Sequence, residues 1–199
     1  FLKTTRIFLG DKEDVQKLTE EIAQRDKRVS AMLRDEPYVI FSTHTPSVFG
    51  SYIVSITDWV EHISLEEKLK EGITIDEKAE IIKKLIHIID RIHSKGIFHR
   101  DLNPSNILIT PEGELKVFNF DFAKVLGRPT VGPGLLGKFD EYRARELIYG
   151  MDTIDYRTDL YSLGVIIYKI ITGDTPIKRT EELEMNLSID VGEVGNRLG

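Results

Sequence analysis

His99-Arg100-Asp101-Leu102-Asn103-Pro104-Ser105-Asn106 is the stretch on which the fold turns. It lies between two well-marked elements. Upstream, Thr74 and Glu77 form a capping box, and Ile82, Leu85, Ile86, Ile89 and Ile92 then share one face of a helix that Gly96 stops. Downstream, Ile107-Leu108-Ile109 and Leu115-Lys116-Val117-Phe118 flank Pro111-Glu112-Gly113, a hairpin signal. A polar loop between a helix and a hairpin is a place where a rigid scaffold presents reacting groups. Asn106 leads into the first strand, and Asp121 lies just past the end of the second. Paired antiparallel strands are only ~4.8 Å apart, so these two ends are neighbours. An amide oxygen and a carboxylate facing one point suit Mg²⁺, which takes a few protein oxygens beside phosphate oxygens. Asp101, in the same loop as Asn106, is placed to accept a hydroxyl proton beside a metal-bound phosphate. Phosphoryl transfer needs mainly positioning and charge neutralisation, and these three residues supply parts of both.

Working outward, residues 1–9 read as a strand, and Asp11 to Met32, with Val15, Leu18, Ile22 and Val29 among many charges, as an amphipathic helix. Tyr38 to Phe41 and Gly50 to Thr57 read as two strands around the Thr/Pro/Ser loop Ser42 to Ser47, so the chain opens β-α-β-β. Residues 64–70 read as a short helix. Residues 123–140, rich in Gly and Pro, read as a loop, and Leu160 to Ile171 as a buried core helix closed by Gly173 and Pro176. That last helix is too short to span a bilayer and carries Lys169.

The 199 residues are 41% hydrophobic and 30% charged, which fits a folded domain and argues against disorder. A net charge of −6 argues against a general nucleic-acid binder. The absence of cysteine excludes disulfides, zinc–thiolate sites and cysteine nucleophiles, and is compatible with a reducing cytoplasmic setting. The start, Phe1-Leu2-Lys3-Thr4, is no signal peptide. Because it is not methionine, a longer parent chain is expected.

The loop His99-Arg100-Asp101-Leu102…Asn106 resembles the catalytic-loop motif of protein kinases, and Asp121-Phe122-Ala123 resembles their metal-binding motif. The likeness covers nearly the whole chain. It implies an α+β, two-lobe fold: a partial β-rich small lobe over residues 1–57, a hinge at 58–63, and a mostly helical large lobe over 64–199 that lacks its last helices. The resemblance also implies roles for single residues. Thr57 stands in the gatekeeper place, backbone groups near Asp58 and Val60 hold adenine, and Leu108 lies against it. Lys3 holds the α- and β-phosphates of ATP, oriented by Glu21. Asn106 and Asp121 hold Mg²⁺, and Asp101 serves as catalytic base. Asp159, in Asp159-Leu160-Tyr161-Ser162-Leu163-Gly164, braces the catalytic loop from a buried helix. His99 is a packed loop residue, and Arg100 serves either a phosphorylated activation loop or a nearby carboxylate.

Several positions depart from the family pattern. Asn103 stands where serine/threonine kinases have a lysine on the transferred phosphate, so it brings a hydrogen bond without a charge. Gly137-Lys138-Phe139-Asp140-Glu141 occupies the place of a threonine that meets that lysine, ahead of Tyr142-Arg143-Ala144-Arg145-Glu146. The helix residue four beyond Glu21 is Arg25, where an apolar side chain is expected, and no Gly-rich loop precedes Lys3. The leading expectation is an ATP- and Mg²⁺-dependent kinase of protein serine or threonine. The substrate is another protein or the chain itself, with Thr130 the candidate self-acceptor. The alternatives are a small-molecule kinase of the aminoglycoside-phosphotransferase type, hinted at by Asn119-Phe120-Asp121, and a docking module without transfer.

Overall fold

The computed structural model describes residues 2–6, 12–41, 47–49, 52–128, 140–148 and 154–177. Its first part is an antiparallel sheet in the order β1-β3-β2, with β1 at Leu2–Arg6, β2 at Ser47–Phe49 and β3 at Tyr52–Ile56. Helix α1, Lys12–Leu33, connects β1 to β2. The element order is β-α-β-β, but its second strand is Ser47–Phe49, at the end of the expected loop, and not the expected Tyr38 to Phe41. Tyr38 to Phe41 is not a strand of its own. It makes a single parallel bridge, Val39 to Val117, in which the Ile40 N–H donates to the Val117 carbonyl at 2.9 Å and the Val117 N–H to the Tyr38 carbonyl at 2.7 Å. Pro37 has no N–H with which to lengthen such a ladder.

The rest is mostly helical. β4 (Ile63–Ser64) runs into α2 (Leu65–Glu71), and α3 (Ile75–Ser94) follows. Both helices start on complete capping boxes, Ser64 with Glu67 and Thr74 with Glu77. α3 buries Ile81, Leu85, Ile88, Ile89 and Ile92, each worth about 1.5–3 kcal/mol in removed apolar surface. The sequence reading placed Ile86 on that face, but it is 48% exposed: the buried stripe is centred one residue round the helix, where Ile81 and Ile88 complete it. Gly96 ends the helix at φ +70, and a Cβ there would press on Leu126 at 3.3 Å.

β5 (Ile97–Phe98) then pairs with β8 (Lys124–Val125). The hairpin of β6 (Ile107–Ile109) and β7 (Leu115–Val117) forms a second sheet with β4 in the order β4-β6-β7. α4 (Arg145–Ile148) and α5 (Arg157–Thr172) complete the described residues. One core joins Val29 and Leu33 of α1, the α3 stripe, the hairpin residues Ile107, Leu115 and Val117, and Leu163, Ile166 and Ile170 of α5. Leu102, in the loop between β5 and β6, is part of it. This is the α+β arrangement expected of a kinase-like fold. Among the described residues no helix is long and apolar enough to cross a membrane. Thr130 and the polar stretch 181–199 lie outside the described residues.

Candidate active site

The loop is anchored first at its base. Asp159, in the first turn of α5, is fully buried, and its carboxylate gathers three donors. The His99 N–H at 2.7 Å and His93 Nε2 at 2.8 Å reach Oδ2, and the Arg100 N–H reaches Oδ1 at 2.7 Å. Hydrogen bonds to an ionised acceptor are about twice as strong as neutral ones, and two of these fix main chain. They hold Arg100 at φ +67, a conformation that few side-chain-bearing residues adopt. His99 is likewise locked. Its Nδ1 accepts the Asp101 N–H at 3.2 Å and its Nε2–H donates to the Phe118 carbonyl at 2.9 Å. The ring packs on Phe120 with centroids 4.7 Å apart. The expected structural roles of Asp159 and His99 are what the geometry displays.

Asp101 follows, 11% exposed at its side chain. Oδ1 accepts from Arg143 Nη2 at 2.7 Å. Oδ2 accepts from Asn106 Nδ2 at 3.1 Å and from Asn119 Nδ2 at 3.3 Å. Asn106 Nδ2 also donates to the Asp101 carbonyl at 2.7 Å, which turns its Oδ1 toward Asn119 Nδ2, 3.2 Å away. Asp101, Asn106 and Asn119 thus form a closed ring of side chains, with Arg143 bound outside it.

This corrects the sequence reading at one position. The fold brings Asp101 and Asn106 together as expected, but the residue that joins them is Asn119, not Asp121. Asp121 belongs to the following three-ten turn, Phe120–Phe122, and its charge acts on Arg25 of α1. The signal was available in the hairpin register: Ile107 pairs with Val117, so the residue opposite Asn106 is Phe118, and Asn119 is the next to turn inward. Asn119 makes that turn at φ +71, a conformation Asn tolerates better than most residues. Arg143 carried no sequence signal, because its contact with Asp101 spans 42 positions.

Asn103, expected to touch the transferred phosphate, has another task. Its Oδ1 accepts the Ser105 and Asn106 N–H groups at 3.0 and 3.2 Å, and its Nδ2 donates to the Asp101 carbonyl at 3.1 Å. It caps the short turn before β6 and so shapes the loop. Glu21 is exposed on α1, and the side chain that α1 buries nearby is Arg25, 7% exposed. Lys3 stands in β1 opposite Ser55. Thr57 is buried at the end of β3, Asp58 is exposed, and Val60 is half-buried with its carbonyl accepting from His62 Nδ1 at 2.6 Å. Leu108 is buried in β6 opposite Ser64, directly after this connection.

Two buried guanidiniums lie behind the loop. Arg100 Nε and Nη2 and Arg25 Nε and Nη2 are buried without hydrogen-bond partners. Burial, and then the neighbouring Arg25 charge, lower the Arg100 pKa to about 10, with Asp159 opposing. Burial lowers that of Arg25 too, against the pull of Asp121.

The family's magnesium can be tested against this donor set. A side-chain-held Mg²⁺ needs lone pairs aimed at one point, preferably with negative charge. Here the one carboxylate of the ring is paired with Arg143, and both Asp101 Oδ2 and Asn106 Oδ1 already face the Asn119 NH₂ group. Among the described residues no three His, Asp or Glu side chains gather as a metal site. The ring as built does not fit the ion.

The chain matches the model of the protein kinase domain over residues 10–193. It is 32% identical over 176 residues to a protein named probable serine/threonine-protein kinase from Clostridium perfringens, covering 82% of this chain and 24% of that protein. It is 27% identical over 183 residues to another of that description from Lactococcus lactis, covering 85% and 28%. A CBL-interacting serine/threonine-protein kinase of Arabidopsis thaliana is 30% identical over 197 residues, covering 96% and 44%. The chain therefore spans about a quarter of the first two relatives and under half of the third.

Proposed function

The chain belongs to the protein kinase domain family, and on that premise we propose that it transfers the γ-phosphoryl group of ATP to a serine or threonine hydroxyl of a protein. The observation that carries this reading is the braced catalytic loop: Asp159 fixes the main chain at His99 and Arg100, and Asp101 is thereby presented at the edge of the core. In the reaction the acceptor oxygen attacks the γ-phosphorus, the bond to the ADP oxygen breaks, and the hydroxyl proton passes to the Asp101 carboxylate. Arg143 must yield Oδ1 for the hydroxyl to reach it. Adenine lies against Leu108, beside the Asp58–Val60 backbone and Thr57, and Lys3 serves the α- and β-phosphates. Glu21, which faces outward, has no part in this proposal. Residues 1–57, 58–63 and 64–199 serve as small lobe, hinge and large lobe. The cysteine-free sequence is what supports a cytoplasmic setting.

One observation favours a second reading, a nucleotide-binding module that does not transfer: Asn119 is neutral where the reading of the hairpin end expects a carboxylate. The experiment is transfer of label from γ-³²P-ATP to casein and to the chain itself, beside Asp101→Asn. The expected result is incorporation that falls about 10²–10⁴-fold in the variant. Equal label in both proteins overturns the role of Asp101, and ATP binding with no label in either overturns transfer. The second outcome establishes the non-transferring module. Label on an added aminoglycoside but not on protein would establish the small-molecule alternative.

A further inference from the structure

We propose that this centre binds its nucleoside triphosphate without a divalent cation held by the protein, because the Asn119 amide nitrogen occupies the place that such an ion would take. The inference rests on the reading that the chain binds ATP. The polarity of the ring carries it. Asn106 Nδ2 is committed to two acceptors of Asp101, its carbonyl and Oδ2, so Asn106 must present Oδ1 to Asn119. Asn119 then faces two oxygens, Asp101 Oδ2 at 3.3 Å and Asn106 Oδ1 at 3.2 Å. With its amide turned the other way it would set oxygen against oxygen on both sides, so the NH₂ group points inward.

Two oxygens converging on one electropositive centre is the arrangement a cation creates, and here a neutral N–H donor fulfils it. The charge balance agrees. The ring holds one negative charge, on Asp101, and Arg143 at 2.7 Å offsets it. A Mg²⁺ ion entering the ring would have to displace Asn119 and sit beside a guanidinium, gaining one paired carboxylate. The N–H groups at the ring, from Asn119 and Arg143, are donors, which a phosphate oxygen can meet and a cation cannot. Asn119 is thus the specificity-determining residue: it decides whether the site sees the nucleotide alone or its magnesium complex. The isosteric change Asn119→Asp reverses the logic. It keeps the αL-tolerant shape at φ +71 but places a second carboxylate against Asp101 Oδ2 and Asn106 Oδ1. Those like charges separate, or share a cation.

The test is ATP binding by calorimetry, in EDTA and in excess Mg²⁺, with thermal melting in Mg²⁺ alone, on the chain and on Asn119→Asp. The chain is expected to bind ATP with a Kd that differs by less than about threefold between the two conditions, and its melting point should not move with Mg²⁺ alone. Asn119→Asp should melt lower without metal, recover on adding Mg²⁺, and bind ATP more than about tenfold tighter with Mg²⁺ than in EDTA. Tenfold or greater tightening by Mg²⁺ in the unaltered chain overturns the inference and leaves the kinase reading standing. No ATP binding in either condition overturns both. Should Asn119→Asp fail to fold, Mn²⁺ binding to the unaltered chain, read by electron paramagnetic resonance, decides: free Mn²⁺ throughout supports the inference, and a bound fraction that ATP does not require overturns it.

Discussion

Two aspartates meet in one short loop, Asp159 reaching it from α5 at His99 and Arg100 and Asp101 standing next in the loop itself, and each is surrounded by donors. Asp159 takes two main-chain N–H groups and one imidazole and is fully buried. Asp101 takes two side-chain amides and one guanidinium and keeps a small exposed edge. The difference is between donors that cannot leave and donors that can. A main-chain amide is fixed by the fold on both sides, so Asp159 is a permanent strut. A side-chain donor swings away by rotating about its χ angles, so Asp101 is held until something competes for it. A carboxylate that must receive a proton belongs to the second kind.

Breaking the strut should have the largest effect on stability. Asp159→Ala leaves two buried N–H groups and His93 without an acceptor, and is expected to lose about 3–5 kcal/mol in urea denaturation. If the loss is below about 1 kcal/mol, the two aspartates are not different in kind. The contrast sharpens at Arg25, a buried charge with neither sort of partner at Nε and Nη2. Arg25→Leu removes a desolvated guanidinium and its repulsion of Arg100, and should raise stability by about 1–3 kcal/mol in the same measurement. A loss of that size would mean that its attraction to Asp121 outweighs its burial.

The smallest effect is at an exposed carboxylate that also holds main chain. Glu77 accepts the Thr74 N–H at 2.8 Å and pairs with Lys68 at 3.1 Å, and its pKa falls from 4.5 to about 2. A lowered carboxylate pKa stabilises the folded state fully above the unfolded value, and that contribution is lost as pH falls through the folded one. The melting-point gap between the chain and Glu77→Ala should therefore be constant above pH 4.5, shrink below it and close near pH 2. A gap independent of pH over that range would show that the cap acts through something other than charge.

What was legible in the sequence follows the range of the interactions. Thr74 with Glu77, the Gly96 and Gly173 stops, the hairpin around Pro111-Glu112-Gly113 and the Asp101-to-Asn106 loop are local patterns, and all appear where expected. The roles of Asp159 and His99 were also open to reading, because the resemblance supplied their long-range partners. Ile86 was misplaced because a stripe of apolar residues fixes a helix face only to within a residue or so when isoleucines are this dense. Asn119 is set by the hairpin register, which a charged neighbour such as Asp121 masks in the sequence. Arg143 and Arg25 depend on contacts between distant segments, which no local pattern encodes.

Val117 has hydrogen-bonded neighbours on both sides, Ile107 within the hairpin and the Tyr38–Ile40 segment beyond it. That segment follows α1 after a turn in which the Glu36 N–H is tied back to the Leu33 carbonyl. α1 and the hairpin are therefore yoked. The end of α1 is thereby joined by main-chain hydrogen bonds to a strand that ends two residues before Asn119, so the long helix and the polar ring share one stretch of backbone scaffolding.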